Sequence, residues 1–306
     1  EHMKFLRDRS SSICREFLAG YDHAELHAEE HLDDGSRIVA RIHIRDGRAI
    51  FDFTGTSPRH PANLNATAAI VGSAVVYVLR LLTEEDVPLN EGFLEPVEIV
   101  LPENSLLAPR FPEDPAQAPA VSGGNVEVSQ RLVDTLLCAF DRVACSQGTM
   151  NNVIFGDATR SHYETVAGGS GAGIGFAGSS GVHVHMTNTA ITDPEILELR
   201  QPVRLERFAI RKGSGGSGSW PGGDGVEREY LFEAPLSLSL LTQRRMDGPS
   251  GTAGGSAGEP GEQVIVRTDG SREVLPSVVN LEVAPGDRLI LRTPGGGGAG
   301  HPDTLA

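Results

Sequence analysis

Three glycine-rich clusters constrain the fold of this 306-residue chain more than any other feature of its sequence. They are "GGSGAGIGFAGSSG" (168–181), "GSGGSGSWPGGDG" (213–225) and "GGGGAG" (295–300), in a chain with 37 glycines. Glycine is the usual residue where the backbone needs a positive φ angle or must approach another segment closely. The clusters therefore predict loops and turns with close backbone packing.

A second interpretation of these clusters is a cradle of backbone N–H groups that binds an anion or a carbonyl group. No cluster is a phosphate-binding P-loop, because none is followed by Gly-Lys-Ser/Thr at the required spacing. No cluster follows a strand and opens a helix, as a dinucleotide-binding fingerprint does. The sequence therefore favours the packing interpretation over the binding one.

The charge balance and the cysteines narrow the class of protein further. With 26 basic and 41 acidic residues, the formal charge is −15 and the pI is about 5.1, which argues against a nucleic-acid partner. The most apolar run (66–82) contains Arg80 and is too short for a membrane span. The three cysteines match no zinc pattern, which predicts reduced thiols. We therefore expect a soluble, cytoplasmic protein without membrane contact.

The hydrophobic periodicity predicts an α+β fold with two parts of different character. Helices are predicted at the start of the chain, at 66–82 and at about 126–143, and a hairpin turns at Asp46-Gly47. From about residue 145 the helical pattern fades and glycine-punctuated strands follow. We therefore predict a mixed α/β part over 1–145, packed on a β-rich, glycine-loop-rich part over 146–306.

The second part should contain one short helix and several strands. The helix is predicted at 192–200, with Thr192 or Asp193 as its N-cap. Strands are predicted at 203–211, 226–233 and 236–243, and two further hairpins are expected to turn at Asp269-Gly270 and at Pro285-Gly286.

Amides and carboxylates beside glycines mark candidate functional positions. Two stretches, 123–131 and 146–157, place several of them at the edges of predicted elements: Asn125, Glu127, Gln130, Gln147, Asn151 and Asn152. Such side chains either cap turns or line a polar pocket, because buried polar groups require hydrogen bonds. Farther along, Glu164 is a candidate acid/base carboxylate that would point into the first glycine cluster.

The stretch "GVHVHMTNT" (181–189) places two histidines two residues apart. In a strand, His183 and His185 would share one face, and Val182 and Val184 the other. Two neighbouring imidazoles can belong to a metal site, but a tetrahedral site needs two further ligands from elsewhere. The alternative is a strand with a polar outer face.

Ten segments of the chain together resemble the hydantoinase B/oxoprolinase family, and they occur in the order found in that family. The segments are "NLNAT" (63–67), "VPLNEG" (87–92), "GGNVEVSQR" (123–131), "SQGTMNN" (146–152), "YETVAGGSGAG" (163–173), "GVHVHMTNT" (181–189), "ITDPEILE" (191–198), "GSGGSGSWPGGDGV" (213–226), "TQRR" (242–245) and "TPGGGG" (293–298). The resemblance is to the C-terminal part of the family's B-type subunits.

The resemblance implies an ATP-dependent hydrolase that opens 5-oxoproline, hydantoins such as N-methylhydantoin, or related lactams. In that family ATP and Mg²⁺ bind to an A-type subunit or domain, which implies a hetero-oligomer. It also implies a divalent metal whose ligands lie in an N-terminal portion, outside this chain. The isolated chain is therefore expected to be inactive.

The resemblance also implies that the histidine-containing motif lines a pocket. There a neutral imidazole or Asn188 would donate a hydrogen bond to a substrate carbonyl. The alternative is that the imidazoles hold the glycine loop in shape. The full set of catalytic candidates is His183, His185, Asn188, Glu164, Asn125, Glu127 and Asn151. Two other functions stay open: a subunit of the acetone carboxylase type, and a non-catalytic assembly module.

Overall fold

The computed structural model describes residues 1–83 and 85–302, and it combines helices with three sheets, which confirms the α+β class. The chain divides into two compact units, Glu1–Phe140 and Asp141–Ala306. The predicted division at about residue 145, into two parts that form separate domains or share one core, stays a prediction. Within the described ranges, no helix is long and apolar enough to cross a membrane.

The first unit contains three α-helices and one four-stranded sheet. Its elements are α1 (His2–Ala19), β1 (Glu25–His31), β2 (Arg37–Arg45), β3 (Arg48–Asp52), α2 (Ala68–Leu82), β4 (Val97–Val100) and α3 (Ser129–Phe140). The strand order is β1-β2-β3-β4, and only the β3–β4 pair is parallel. Both α1 and α3 contact strands of this sheet, and α2 contacts α3.

The predicted hairpin is confirmed, and its turn residues show why the sequence determines it. Asp46 and Gly47 have φ angles of 51° and 65°, the left-handed pair that matches the twist of a two-residue hairpin. Along β2, Ile38, Ile42 and Ile44 are buried, as the alternating pattern predicts. Local sequence and core burial therefore agree in fixing the register of β2 and β3.

The helix predicted at about 126–143 is present, but its first turn is wider than an α-helix. Residues Gly124–Val128 form a π-helical turn, and the α-helix α3 begins at Ser129. The residue before this turn, Gly123, is hydrogen-bonded to another segment, because its N–H donates to the carbonyl oxygen of Asn63 (2.9 Å). Two of the family-like segments, 63–67 and 123–131, are thereby joined through their backbones.

The second unit contains two antiparallel sheets and one short helix. Its elements are β5 (Asn152–Gly156), β6 (Ser161–Thr165), α4 (Pro194–Arg200), β7 (Val203–Arg211), β8 (Gly225–Phe232), β9 (Leu236–Leu241), β10 (Glu262–Val266), β11 (Arg272–Val274), β12 (Val278–Val283) and β13 (Arg288–Arg292). One sheet has the order β11-β10-β13-β8-β7, and the other has the order β12-β9-β5-β6.

The two sheets of the second unit share one apolar core. Phe155 and Leu238 come from the four-stranded sheet, and Tyr230, Phe232 and Leu289 come from the five-stranded sheet. The ring of Phe155 packs edge-on against those of Tyr230 and Phe232. Because inward side chains of both sheets belong to one buried cluster, the sheets pack face to face as a sandwich.

The expected hairpin around Pro285-Gly286 is wrong, although the turn exists. Gly286 has a φ of 92°, but β12 pairs with β9, whereas β13 pairs with β10 and β8. The turn is a corner that carries the chain from one sheet to the other. Asp287 stabilises this corner, because its carboxylate accepts from the N–H groups of Ala284 (3.0 Å) and Thr268 (3.1 Å).

The three glycine clusters form one bundle of extended segments within the second unit. Successive residues of the third cluster bond to different neighbours: Gly296 N–H donates to Gly223 O, Gly297 N–H to Cys145 O, and Gly298 N–H to Ser256 O (2.8–2.9 Å). A sheet strand would instead alternate between two partners. These N–H groups are already bonded to carbonyl oxygens, so the structure agrees with close packing and not with an anion cradle.

Candidate functional site

The seven candidate residues lie in different units. Asn125 and Glu127 belong to the π-helical turn of the first unit. The other five belong to the second unit, and their positions differ in burial. They are Asn151 and Glu164, which are buried, His183 and His185, which are partly buried, and Asn188, which is exposed.

In the first unit, Asn125 and Glu127 point in different directions. Asn125 is exposed, and its carbonyl oxygen accepts a hydrogen bond from Ser129 Oγ (2.6 Å). Glu127 is fully buried. One turn further along α3, the buried Arg131 side chain lies 3.5 Å from a carboxylate oxygen of Glu30. This part of the first unit therefore buries several charged groups. It also contains a π-helical turn, and such turns are frequent at functional sites.

In the second unit, strand alternation collects charged side chains inside the sandwich. Along β6, His162 and Glu164 point inward, whereas Tyr163 is exposed. Along β8, Arg228 and Tyr230 both occupy inward positions and are fully buried. The period of two along each strand therefore brings a carboxylate, a guanidinium, a phenol and an imidazole together.

Glu164 is the centre of this cluster. Tyr230 Oη donates a hydrogen bond to Glu164 Oε1 (2.6 Å), and Arg228 Nη2 lies 3.4 Å from the same oxygen. His162 Nε2 lies 3.5 Å from the other oxygen, Oε2. The guanidinium also stacks on the ring of Tyr230. The carboxylate is therefore surrounded by positive and hydrogen-donating groups.

The surroundings keep Glu164 ionised. Burial alone would raise its pKa, but the nearby imidazole of His162, the charge of Arg228 and the hydroxyl of Tyr230 together hold the pKa below its usual value. Burial and the Glu164 charge raise the pKa of Tyr230 well above 10. An anion held this way suits a fixed counter-charge, and the acid/base role expected from the sequence stays a prediction.

The segment 181–189 is not a strand, so the expected arrangement of its histidines is wrong. Val182 forms an isolated bridge with Gly168, and a turn follows in which the N–H of Thr187 donates to Val184 O (3.1 Å). His185 lies in this turn with a left-handed φ of 52°. The reversal of chain direction at His185 prevents the two imidazoles from sharing one face.

His183 combines burial with unused hydrogen-bonding capacity. Its ring nitrogens are both inaccessible to solvent and have no hydrogen-bond partner in the described part of the chain. Burial lowers the pKa of His183, and the negative charge of Glu164 opposes this only in part. The imidazole is therefore neutral at pH 7 and retains one donor and one acceptor.

We expect the ring protons of His183 to titrate with a midpoint below 6.5 when followed by NMR. Replacing Glu164→Gln removes the anion that favours the imidazolium, so the midpoint should fall further. A midpoint that does not move in the Glu164→Gln protein would show that the Glu164 charge does not act on His183.

The cluster around Glu164 does not fit a divalent metal site. Metal-binding carboxylates offer a free oxygen lone pair to the ion, but Glu164 Oε1 already faces Tyr230 Oη and Arg228 Nη2. The guanidinium of Arg228 would also repel a cation. The chain's own residues here therefore supply no metal chemistry, which is compatible with metal ligands outside this chain.

The sequence did not single out Arg228, Tyr230 or Arg245. The signal for Arg228 was available, because it occupies an inward position in the alternating strand "GVEREYLF". A charged residue at such a position predicts a buried partner. Arg245 belonged to the family-like segment "TQRR", and its side chain in fact donates to the candidate Asn151 (2.8 Å).

A surface groove of about 520 Å³ in the first unit is lined by none of the seven candidates. Its walls include His23, Glu25, His43, Ile50 and Glu98. Charges of both signs alternate across it, and none of its residues has the unpartnered, buried character of His183. The candidate site of the second unit therefore rests on buried side chains and not on an open cavity.

Comparison with known proteins gives the family of the chain. The family model described as hydantoinase B/oxoprolinase matches residues 1–302. The chain is 45% identical to 5-oxoprolinase 1 of Arabidopsis thaliana over 98% of its own length and 23% of that protein. The chain therefore belongs to the hydantoinase B/oxoprolinase family. It spans about a quarter of the length of the first curated relatives it matches.

Two solved structures share the fold. An ATP-dependent caprolactamase from Pseudomonas jessenii aligns with a TM-score of 0.85 over 97% of this chain and 55% of its own, at 24% identity. A nucleotide-free acetone carboxylase aligns with a TM-score of 0.81 over 96% of this chain and 47% of its own, at 16% identity. At these identities the similarity confirms the architecture alone.

Proposed function

We propose that this chain is part of an ATP-dependent hydrolase that opens cyclic amides such as 5-oxoproline or a hydantoin. The observation that carries the proposal is the 45% identity to a protein named 5-oxoprolinase over nearly the whole chain. The shared fold with an ATP-dependent caprolactamase gives further support, because that enzyme's name also denotes a lactam substrate.

In this proposal the chain supplies polar groups for the lactam, and other parts supply the nucleotide and the metal. ATP and Mg²⁺ would bind to an A-type partner subunit or to another part of one longer polypeptide. The divalent metal would bind to an N-terminal portion outside this chain. Phosphorylation of the amide oxygen would activate the ring for attack by water. His183, held neutral in a buried position, would donate a hydrogen bond to the lactam or its phosphorylated form.

The other candidates take different places in this proposal. His185 and Asn188 would shape the loop that carries His183, and Glu164 would act as a fixed counter-charge for Arg228. Asn151 would position a neighbouring amide. Asn125, exposed on the π-helical turn of the first unit, would contact the nucleotide-binding part, and the buried Glu127 would support that turn.

The proposal predicts that the complete protein, with any A-type partner, releases ADP in a lactam-dependent way. We expect at least a tenfold rise in ADP release with 5-oxoproline, hydantoin or ε-caprolactam over a lactam-free control. Equal ADP release with and without every lactam would exclude this function. ATP consumption that depends on bicarbonate and a ketone, but on no lactam, would instead indicate carboxylation of the acetone carboxylase type.

A variant of His183 separates an enzyme part from an assembly module. We expect His183→Ala to lower kcat about 100-fold, the loss typical for one donor to a developing negative charge, with assembly intact. The exposed His27→Ala serves as the control and should keep full turnover. Unchanged turnover in His183→Ala would favour the assembly module. Glu164→Ala is unsuitable for this test, because it leaves Arg228 buried without its counter-charge.

A further inference from the structure

A buried chain of side-chain hydrogen bonds in the second unit ends at Gln147, and each link has a fixed direction. The guanidinium of Arg245 can only donate, and its Nη2 donates to Asn151 Oδ1 (2.8 Å). The amide of Asn151 is thereby oriented, so Nδ2 donates to Gln147 Oε1 (2.9 Å) and to Val166 O (3.1 Å). Gln147 Oε1 is therefore the acceptor from Asn151. The two N–H groups of Gln147 Nε2 then point away from Asn151.

The first two members of this chain are held firmly. Arg245 also donates from Nη1 to Gln243 O (2.6 Å) and from Nε to Gln263 Oε1 (3.3 Å). The backbone N–H of Asn151 donates to Thr149 Oγ1 (3.0 Å), and Asn151 has a left-handed φ of 47°. Left-handed backbone at a residue other than glycine is uncommon and is often found at functional positions.

Gln147 is fully buried, and its Nε2 has no hydrogen-bond partner among the described residues. Its side chain lies directly on Gly168, where a Cβ atom would come within 2.1 Å of Gln147 Oε1. Gly168 in turn exchanges two backbone hydrogen bonds with Val182, the residue before His183. Adjacent backbone segments therefore carry the buried Gln147 and the partly buried His183, each with polar atoms that are inaccessible to solvent and unused.

We propose that Gln147 Nε2 donates a hydrogen bond to the carbonyl oxygen of the cyclic amide, and that Asn151 and Arg245 position it for this. The inference rests on the proposed function. A small-ring lactam holds its amide cis, with the acceptor oxygen and the donor N–H on one side. Gln147 offers a second donor on that side of the ring, in addition to the N–H that the neutral His183 donates.

The test is the pair Gln147→Met and Asn65→Leu in the complete protein, assayed with 5-oxoproline, hydantoin and ε-caprolactam. Gln147→Met should raise the KM for the lactam about tenfold, with kcat within twofold, because one hydrogen bond to the bound ring is lost. Asn65 is also fully buried, but its amide is satisfied by His60, Ala62 and Ala120. Asn65→Leu should lower the unfolding temperature and leave the KM unchanged.

A second variant tests the positioning chain and covers the case in which Gln147→Met does not fold. In Asn151→Asp the new carboxylate cannot donate, so Gln147 must turn its Nε2 inward and present Oε1 to the lactam. The KM should again rise about tenfold, although Asn151 does not touch the ring. Arg245 remains paired with the new carboxylate, and Asp tolerates the left-handed φ.

The outcomes separate the two proposals. A wild-type protein without lactam-dependent ADP release excludes the proposed function, and the role of Gln147 with it. A wild-type protein that is active, with an unchanged KM in Gln147→Met and in Asn151→Asp, keeps the function but overturns this inference. A lowered unfolding temperature alone in both variants would show that Gln147 Nε2 serves the fold only.

Discussion

Replacing Gly296→Ala should prevent the second unit from folding. A Cβ atom on Gly296 would lie 1.9 Å from the carbonyl oxygen of Ser170 and 2.2 Å from its carbonyl carbon. Both are backbone atoms in a segment that is itself hydrogen-bonded, so no side-chain rotation relieves the contact. Overpacking a core usually costs about 1–3 kcal/mol, and a clash with backbone should exceed that range. We expect insoluble protein, or a midpoint of urea unfolding that falls sharply.

The control for this prediction is Gly72→Ala in α2. Apart from its chain neighbours and the backbone of its own helix, Gly72 has no described atom within 4 Å of the position that its Cβ would take, and it lies in the helix interior. Alanine there should stabilise the helix by about 0.5–1 kcal/mol. If Gly296→Ala instead unfolds at the wild-type urea concentration, the segments of the glycine bundle are farther apart than the structure places them.

The sequence was sufficient to predict those elements whose structure depends on residues close together in the chain. The short helix predicted at 192–200 is α4, and Asp193 caps it by accepting from the N–H groups of Glu195 (3.0 Å) and Ile196 (3.2 Å). Its first helical residue, Pro194, needs no hydrogen-bond partner for its nitrogen. Caps, two-residue turns and alternation act over a few residues, so they can be identified without tertiary contacts.

The sequence was insufficient where the partner is distant in the chain. A turn at Gly286 fits a hairpin and a sheet-to-sheet corner equally well, and the choice depends on which strands pair with β12 and β13. The histidine stretch shows alternation typical of a strand, but His185 is left-handed because Gly168 and Val182 fix the preceding segment. Such long-range pairings leave no local pattern.

The sequence identified only some of the candidate site residues, because their partners are also distant in the chain. Glu164 and His183 were identified as residues, and the structure places Glu164 beside His162, Arg228 and Tyr230. The partners Arg228 and Tyr230 lie over 60 residues away from Glu164 in the chain. The role of Gln147 depends on the direction of two amides, which only a hydrogen-bond network determines.

Replacing Glu164→Leu should destabilise the protein by about 3–5 kcal/mol at pH 7, the usual cost of leaving one charge of a buried pair uncompensated. The guanidinium of Arg228 is fully buried, and Glu164 is the carboxylate beside it. As a control, Glu206→Leu removes a carboxylate from Arg204, whose side chain is 55% exposed. Removing that exposed pair should leave the midpoint of urea unfolding close to the wild-type value. Urea unfolding of both variants gives the comparison.

The double variant Glu164→Leu/Arg228→Met tests whether charge is the cause. It should recover most of the lost stability, because apolar side chains of similar volume often replace a buried ion pair without cost. The pKa of Glu164 is held below its usual 4.5 in the folded state, so the pair stabilises fully above that value. Its contribution is lost as the pH falls through the lowered pKa, and the difference between wild type and Glu164→Leu should then shrink. A double variant as unstable as Glu164→Leu would contradict the charge explanation and attribute the loss to packing around Tyr230. Recovery would instead mean that Glu164 serves the sandwich as a counter-charge, which leaves the chemistry of the site to neutral groups such as His183 and Gln147.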